Sequence, residues 1–451
     1  MLPRPPLPPG PYLVVGLARS GVAVALALRA RGEAVAGCDA GPVSPERRAE
    51  LEAAGVAVHA GTSGLELLGA AGTVVKSPGV PSQAPVVAAA REAGLTVVGE
   101  LEIGWRLVPN ETVAVTGSNG KTTTVELIGH LHRAAGLEAE VVGNVGTALS
   151  TLAGAGLPDT ATIVCEASSF QLEDTERFAP DAGVLLNLAE DHLDRHGTFD
   201  AYRAAKLEVF ARQPAGTVAV APEELAADGL PGKAERVWFG TGPTARLAAR
   251  EGALWWDGVR LIGFEEIRLR GPHNLQNAMA AAAVTLARGM TPDAVRVGLG
   301  SFDGVAHRLE EIATIDGVLY VNDSKATNVA SAVAGLESFE AGVHVILGGR
   351  GKGGDYAPLA APVAGRARAA YLIGETAPEI ASALAGAGVP VHDVGDLEGA
   401  LAAARAAARP GEVVLLSPAA ASFDQYADYE ARGEHFRALV EDAAAGRRTH
   451  A

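Results

Sequence analysis

Cysteine is nearly absent: Cys38 and Cys165 are the only two in 451 residues. Two thiols build neither a disulfide framework nor a metal site. Each lies in or at the end of an apolar, strand-like run, so a reduced, cytoplasmic compartment is expected. Positive charge is also short, with 37 Lys and Arg against 53 Asp and Glu, a formal net charge of −16. That balance argues against a broad basic face for nucleic acid. It also means that an anionic substrate must be drawn in by local cations against the global field. No uninterrupted apolar run approaches membrane-spanning length, and the proline-rich residues 1–10 have no apolar core. Neither a membrane span nor a signal peptide is therefore expected. Apolar residues are plentiful, at 48% against 20% charged, as in a folded globular protein. The length exceeds one ordinary core and predicts two to four domains.

Short β-branched runs alternate with Ala- and Leu-rich helical stretches almost throughout, the pattern of parallel sheets built from βαβ units. Three blocks are expected: 1–106, 107–303 and 304–451. The first opens with a strand at 12–15, a turn at 16–21 and a helix to about Arg31, with further strands ending at Asp39 and near 74–76 and 96–98. The segment 105–110 reads as a connector. The second has strands near 112–115, 163–165, 184–186 and 218–220, a hairpin around Trp255-Trp256-Asp257-Gly258, and a closing helix over 274–288. The third has strands near 319–321, 343–347, 370–373 and 413–416.

The most informative segment is VTGSNGKTTT at 115–124, between an apolar strand and a helix-forming stretch. Gly117 and Gly120 keep side chains clear, so backbone N–H groups, including those of Ser118 and Asn119, can converge on phosphate oxygens at a helix N-terminus. Lys121 supplies a charge for the β- and γ-phosphates, and the Thr122 hydroxyl is placed to hold Mg²⁺. A strict Walker A motif has a glycine where Val115 stands, so this is a short form. The alternative is an ordinary βα turn, which would not need Lys-Thr at that place. ATP or a relative is the expected ligand.

Other motifs gather around this loop. Glu166, at the end of a strand, is placed for a Walker B role at Mg²⁺. His192 and His196 lie four apart in EDHLDRHG, but no glutamate is interleaved as in a zinc HExxH motif, and Mg²⁺ or phosphate suits the neighbouring carboxylates better. A surface position is the equal alternative for His196. Lys206 falls on the apolar stripe Phe199, Tyr202, Val209, Phe210 of a helix. It is either a snorkelling lysine or a desolvated, more easily neutral amine that can take up CO₂ as a carbamate. In the first block, Gly16, Gly21 and Asp39 stand roughly where a dinucleotide fingerprint places its residues, but the middle glycine is Ala18, so diphosphate binding is expected rather than NAD. Further clusters are Gly271-Pro-His-Asn-Leu-Gln-Asn277, His307-Arg-Leu-Glu310, Asp323 to Asn328, the glycine turn up to Lys352, and Ser417-Pro418, for which a plain helix start is the commoner reading.

Taken in order, TGSNGKTTT, EASSFQLE, EDHLDRHG, Lys206, GPHNLQN, HRLE, NDSKATN and LSPAAASFDQY resemble the Mur ligases, ATP-dependent amide-forming enzymes of peptidoglycan precursor synthesis. The resemblance spans essentially the whole chain. SSFQLE, NDSKATN and SPAAASFDQY look most like the D-glutamate-adding branch. It implies an α/β fold of three domains: a Rossmann-like first domain, a central P-loop ATPase-like domain and a Rossmann-like third. The substrates implied are ATP, UDP-N-acetylmuramoyl-L-alanine and D-glutamate, with two Mg²⁺ ions and a carbamylated Lys206. The resemblance also implies a cytoplasmic monomer with neither nucleic-acid nor membrane partners.

By the same resemblance, Gly16, Leu17, Ala18, Arg19, Ser20, Asp39, Ser77, Pro78 and Gly79 would hold the UDP end. ATP would meet Gly117, Ser118, Asn119, Gly120, Lys121, Thr122, Thr123, Asn274, Arg308 and Asp323. Thr122 and Glu166 would serve one Mg²⁺, and His192 with Lys206 the second. Asn144 would position the muramoyl-alanine, while Lys325, Thr327, Lys352, Ser422 and Tyr429 would surround the glutamate. Lys121, His192, Lys206 and Asn144 would form the catalytic set. Ala167, Ala420, Tyr429 and Arg350 depart from residues common in the family; none removes a group that the chemistry requires.

The implied reaction makes an acyl phosphate from the alanyl carboxylate and ATP, which the glutamate amine then attacks. No base is assigned to that amine, His192 being a candidate, and the third domain is expected to close over the second. A Mur-type ligase for L-glutamate or another amino acid is the nearest rival. A folate enzyme would generally lack the first domain, and a P-loop switch ATPase would not need GPHNLQN or NDSKATN.

Overall fold

The computed structural model describes residues 3–144, 146–269, 271–351 and 355–448. The chain divides into two compact units, Met1–Ile267 with Gln276–Ser301, and Arg268–Leu275 with Phe302–Ala451. The first unit contains two sheets. One consists of β1 (Tyr12–Val15), β2 (Val35–Asp39), β3 (Ala57–Ala60), β4 (Thr73–Lys76) and β5 (Thr96–Gly99), in the order β3-β2-β1-β4-β5. All its pairings are parallel. This doubly wound order switches direction at β1, and ligands bind outside strand ends at such a switch.

The second sheet takes β6 (Thr112–Thr116), β7 (Ala139–Gly143), β8 (Thr162–Glu166), β9 (Ala182–Leu185), β10 (Val218–Pro222), β11 (Glu235–Gly240), β12 (Leu247–Arg250), β13 (Ala253–Trp256) and β14 (Val259–Gly263). Its order is β14-β13-β12-β11-β10-β9-β6-β8-β7, parallel except for the last two pairings at the β14 end. The expected hairpin at Asp257-Gly258 is the β13–β14 turn. β6, β8 and β9 are buried along their whole lengths, as their Val-, Ile- and Leu-rich sequences require of strands covered on both faces.

The second unit holds a sheet of β15 (Glu310–Ile315), β16 (Val318–Asn322), β17 (Val343–Gly348), β18 (Ala367–Ile373), β19 (Val391–Gly395) and β20 (Val413–Leu416), ordered β15-β16-β20-β17-β18-β19. Only the β15–β16 pairing is antiparallel. No helix among the described residues is long and apolar enough to cross a membrane.

The segment 105–110, expected to be a connector, is instead half helix. The helix Glu100–Leu107 includes Trp105 and is buried along nearly its whole length. Its Glu102 side chain is fully buried because it accepts N–H bonds from Glu176 (2.9 Å), Arg177 (3.1 Å) and Phe178 (2.9 Å) and pairs with Arg106 at 2.6 Å. The three N–H donors lie about 75 residues away in sequence, so local pattern could not reveal why a glutamate belongs in this interior.

The proline-rich leader is tied down. Arg4 donates to the carbonyl of Val108 (3.3 Å), pairs with Asp181 (3.3 Å), and lies over the Trp105 ring at 4.7 Å. Both partners of that pair are about 5% exposed. Removing one member of a buried pair costs about 3–5 kcal/mol, because the other charge stays desolvated. Arg4→Ala should therefore lower the first thermal transition by several degrees in calorimetry. An unchanged transition would show that the leader adds nothing to the stability of this unit.

Candidate functional site

The first sheet ends in a cleft of about 610 Å³ at its switch point. Gly16, Ala18, Arg19, Ser20, Asp39, Ser77, Pro78, Gly79 and Asn144 all line it. The turn after β1 is close-packed: a Cβ on Gly16, whose φ is +89°, would meet Ser77 and Val80 side-chain atoms at 2.9 and 2.8 Å. On Gly21 it would meet the Gly16 carbonyl oxygen at 1.9 Å, so no larger residue fits. The Ser77 hydroxyl donates to the Gly16 carbonyl at 2.9 Å, and the Asp39 carboxylate accepts the Leu17 and Gly41 N–H groups, each at 2.8 Å. Leu17 itself is buried under the turn rather than lining the cleft.

The turn between β6 and the helix Lys121–Ala134 places the glycine loop at the end of a strand flanked by β9 and β8. Gly120 adopts φ +85°, and a Cβ there would meet Asn277 Oδ1 at 2.1 Å. Asn119 N–H donates to Asn187 Oδ1 at 2.9 Å, and Ser118 is held by the Tyr202 hydroxyl and by Ala189, both at 2.9 Å. The Lys121 ammonium folds over the loop, donating to the carbonyls of Gly117 (2.8 Å) and Ser118 (2.9 Å). Thr122 and Thr123 are buried in the first turn of the helix. Because β8 is next to β6, its last residue, Glu166, faces this turn. Its carboxylate accepts the Thr122 hydroxyl at 2.8 Å and the Asn144 amide at 3.0 Å, and it is only 2% exposed.

Lys206 is not a snorkelling lysine. It is 2% exposed, its ammonium donates to the Gly117 carbonyl at 2.7 Å, and it lies 4.6 Å from the Tyr202 ring centre. Burial, then the charge of Lys121, push its amine down to about 7, against the pull of Asp191 and Glu166. Two lysines thus converge on one carbonyl oxygen. His192 has φ +52°, is half exposed, and its ring Nε2 lies 3.5 Å from Asp191. His196 is neither a surface residue nor paired with His192 for a metal. Its ring is stacked on Phe170 at 5.3 Å and hydrogen-bonded to the Ser169 hydroxyl at 3.0 Å.

A hydroxyl and a carboxylate are hard oxygen donors that suit Mg²⁺, which usually keeps several waters and phosphate oxygens. Among the described residues no group of three or more His, Cys, Asp and Glu could hold a metal by itself. The donor set therefore fits a nucleotide-bound Mg²⁺ and not a structural zinc.

In the second unit the parallel neighbours β16, β20 and β17 deliver three loops to one edge. The Asp323 carboxylate, after β16, accepts the Ser417 hydroxyl at 2.7 Å. Burial pushes it up to about 7, with Ser417 and Arg308 pulling the other way. No helix starts at Ser417-Pro418; Ser417 is fully buried in a loop. Lys325 lies 5.3 Å from the Tyr429 ring centre, and the Tyr429 carbonyl accepts the Ser324 hydroxyl at 2.8 Å. Thr327 N–H donates to the Lys325 carbonyl at 2.8 Å, and Ser422 is buried. Asn274 belongs to this unit too, and Lys352 lies outside the described residues.

Sequence reasoning missed Arg432. It is 1% exposed, donates to the Ser324 hydroxyl (3.0 Å) and to the carbonyls of Ser324 (2.9 Å) and Ala420 (3.2 Å), and so ties the β16 and β20 loops together. A lone buried arginine on a charged helix gives no local signal of that role.

Three family models match successive parts of the chain. They are the Mur ligase MurD-like N-terminal domain over residues 11–99, the Mur ligase middle domain over 115–285, and the Mur ligase glutamate ligase domain over 307–420. The chain is 41% identical over 442 residues to a UDP-N-acetylmuramoylalanine--D-glutamate ligase of Acidobacterium capsulatum, covering 95% of each. It is 43% identical over 447 residues to the protein so named in Frankia casuarinae, covering 95% of this chain and 93% of that one. Among solved structures it resembles the UDP-N-acetylmuramate-alanine ligase MurC of Thermotoga maritima, with a TM-score of 0.60 at 19% identity over 96% of this chain and 100% of that one. The MurF ligase of the same organism, in complex with ADP, also has a TM-score of 0.60, at 18% identity over 93% and 91%.

Proposed function

The chain belongs to the Mur ligase family, and from that premise we propose that it joins D-glutamate to UDP-N-acetylmuramoyl-L-alanine at the expense of ATP, in the cytoplasm and as a monomer. The observation that carries this reading is the position of Asn144. It lines the cleft at the end of the first sheet, and its amide also bonds Glu166 beside the phosphate loop. A substrate whose UDP end sits at residues 16–20, 39 and 77–79 can therefore present its other end, a carboxylate, to the γ-phosphate.

The roles follow from chemistry. A carboxylate is a poor acylating agent, so it first takes the γ-phosphoryl group of ATP, and ADP leaves. Lys121 and the loop N–H groups of residues 117–123 offset the charge gathered on the transferring phosphoryl group. Mg²⁺, when bound, would be held by Thr122 and Glu166 and would neutralise phosphate oxygens. His192 and Lys206 would attend a second ion. A neutral Lys206 amine adds CO₂ and releases a proton, which gives a carbamate, an anionic oxygen ligand where the chain has only a cation. The amine of glutamate then attacks the acyl carbon, and phosphate departs. Lys325, Thr327, Ser422 and Tyr429 of the second unit, with Lys352, would hold the glutamate. Asn274, Arg308 and Asp323 would meet the nucleotide.

The test is phosphate release from ATP with UDP-N-acetylmuramoyl-L-alanine and a panel of amino acids. Release with D-glutamate alone is expected. Release with L-glutamate instead would keep the chemistry and change the substrate, and no release with any pair would overturn the reading.

A further inference from the structure

The uridine-end loop and the phosphate end of the candidate site are joined through one side chain to which none of the roles above is assigned. Arg195 is in the short helix Leu193–His196, three residues after His192. One guanidinium nitrogen donates to the Pro78 carbonyl at 2.8 Å and the other to the Val80 carbonyl at 3.1 Å. The guanidinium lies over the Phe170 ring at 3.9 Å and pairs with Glu173 at 3.4 Å. Phe170 in turn packs against the rings of His192 (4.9 Å) and His196 (5.3 Å).

The far side of the connection is equally built. Glu173 accepts the Ser82 hydroxyl at 2.9 Å, and its neighbour Asp174 pairs at 2.7 Å with Lys76, which is fully buried at the end of β4. Lys76 also donates to the Val80 carbonyl at 2.9 Å. The Val80 carbonyl is thus gripped by two cations, Lys76 from the end of β4 and Arg195 from the helix Leu193–His196. Residues 77–81 line the cleft, and Ser77 and Val80 touch the diphosphate turn at Gly16. A planar fork that bonds two carbonyls of one loop while stacking on an aromatic face is a task for Arg that Lys cannot copy.

We propose that Arg195 is a positioning residue that sets the UDP-substrate loop against the His192 segment, and so fixes where the muramoyl carboxylate meets the phosphates. This deepens the proposed function and rests on it. The experiment compares full-length wild type with Arg195→Met, which keeps an apolar stem over Phe170, and Arg195→Lys. KM for UDP-N-acetylmuramoyl-L-alanine should rise at least about tenfold in Arg195→Met with KM for ATP changed less than about twofold, and Arg195→Lys should fall between. UDP alone, titrated calorimetrically, should bind the Met variant about tenfold more weakly.

Equal changes in both KM values, or unchanged affinity for UDP, would overturn the proposal and leave Arg195 a packing residue. Were the wild type to bind UDP yet turn over no amino acid, the reading of the reaction would fall, while the UDP titration would still decide the role of Arg195. A wild type that does not bind UDP overturns both.

Discussion

Lys206→Ala is expected to lose about a thousandfold in kcat, roughly 4 kcal/mol of transition-state stabilisation, and to regain part of it when short-chain carboxylic acids are added. The amine is 2% exposed, hydrogen-bonded to a carbonyl, and held beside a second lysine that raises the cost of its own charge. A group pushed down to about 7 is substantially neutral at the pH of a cell, and only the neutral amine reacts with CO₂. An added carboxylate can enter the space that alanine leaves and restore an anionic oxygen. Full activity without rescue would reduce Lys206 to packing.

The same pKa shift has a pH signature. The folded value lies below the unfolded one of about 10.4, so between pH 7 and that value the unfolded chain binds more protons at this residue. Its contribution to stability therefore rises with pH through that window. Wild-type activity that depends on carbamate should also rise from pH 6 to pH 8, and Lys206→Ala rescued by acetate should lack that limb.

Glu166→Gln should lower kcat by a comparable factor, about a thousandfold, and raise the Mg²⁺ concentration needed for half-maximal rate at least about tenfold. The substitution preserves shape and one acceptor oxygen, so only one of the bonds from Thr122 and Asn144 is at risk. It removes the negative charge that a cation needs in this buried place. Kinetic titration with Mg²⁺ separates the two effects. A variant with wild-type kcat and unchanged Mg²⁺ dependence would remove Glu166 from the metal site and leave it as a bracket between Thr122 and Asn144.

Much of the candidate site was legible because its chemistry is local. The 115–124 loop contains its own strand, glycines, lysine and helix start within ten residues, and physical reading needs nothing further. Glu166 was legible because a carboxylate ends an apolar run. The strands that went unread, β3, β7, β15 and β19 among them, stand at the edges of their sheets and are only partly buried. Half-exposed edges do not need the continuous apolar run that marks a central strand. β11 and β12 also went unread, and they lead into the antiparallel hairpin where the βαβ rhythm stops.

The sequence by itself determined the class of fold, the glycine-lysine loop at 115–124 and the order of the family's motifs, because each rests on residues adjacent in the chain. It left Lys206 balanced between two readings, placed Trp105 in a connector, and gave no role to Arg4, Arg195 or Arg432. Only the tertiary structure decided these. The cost of a buried charge depends on what surrounds it, and the partners of these residues, Gly117, Phe178, Asp181, Pro78 and Ser324 among them, come from distant parts of the chain. Desolvation and its compensation are properties of a packed interior, which no linear pattern contains.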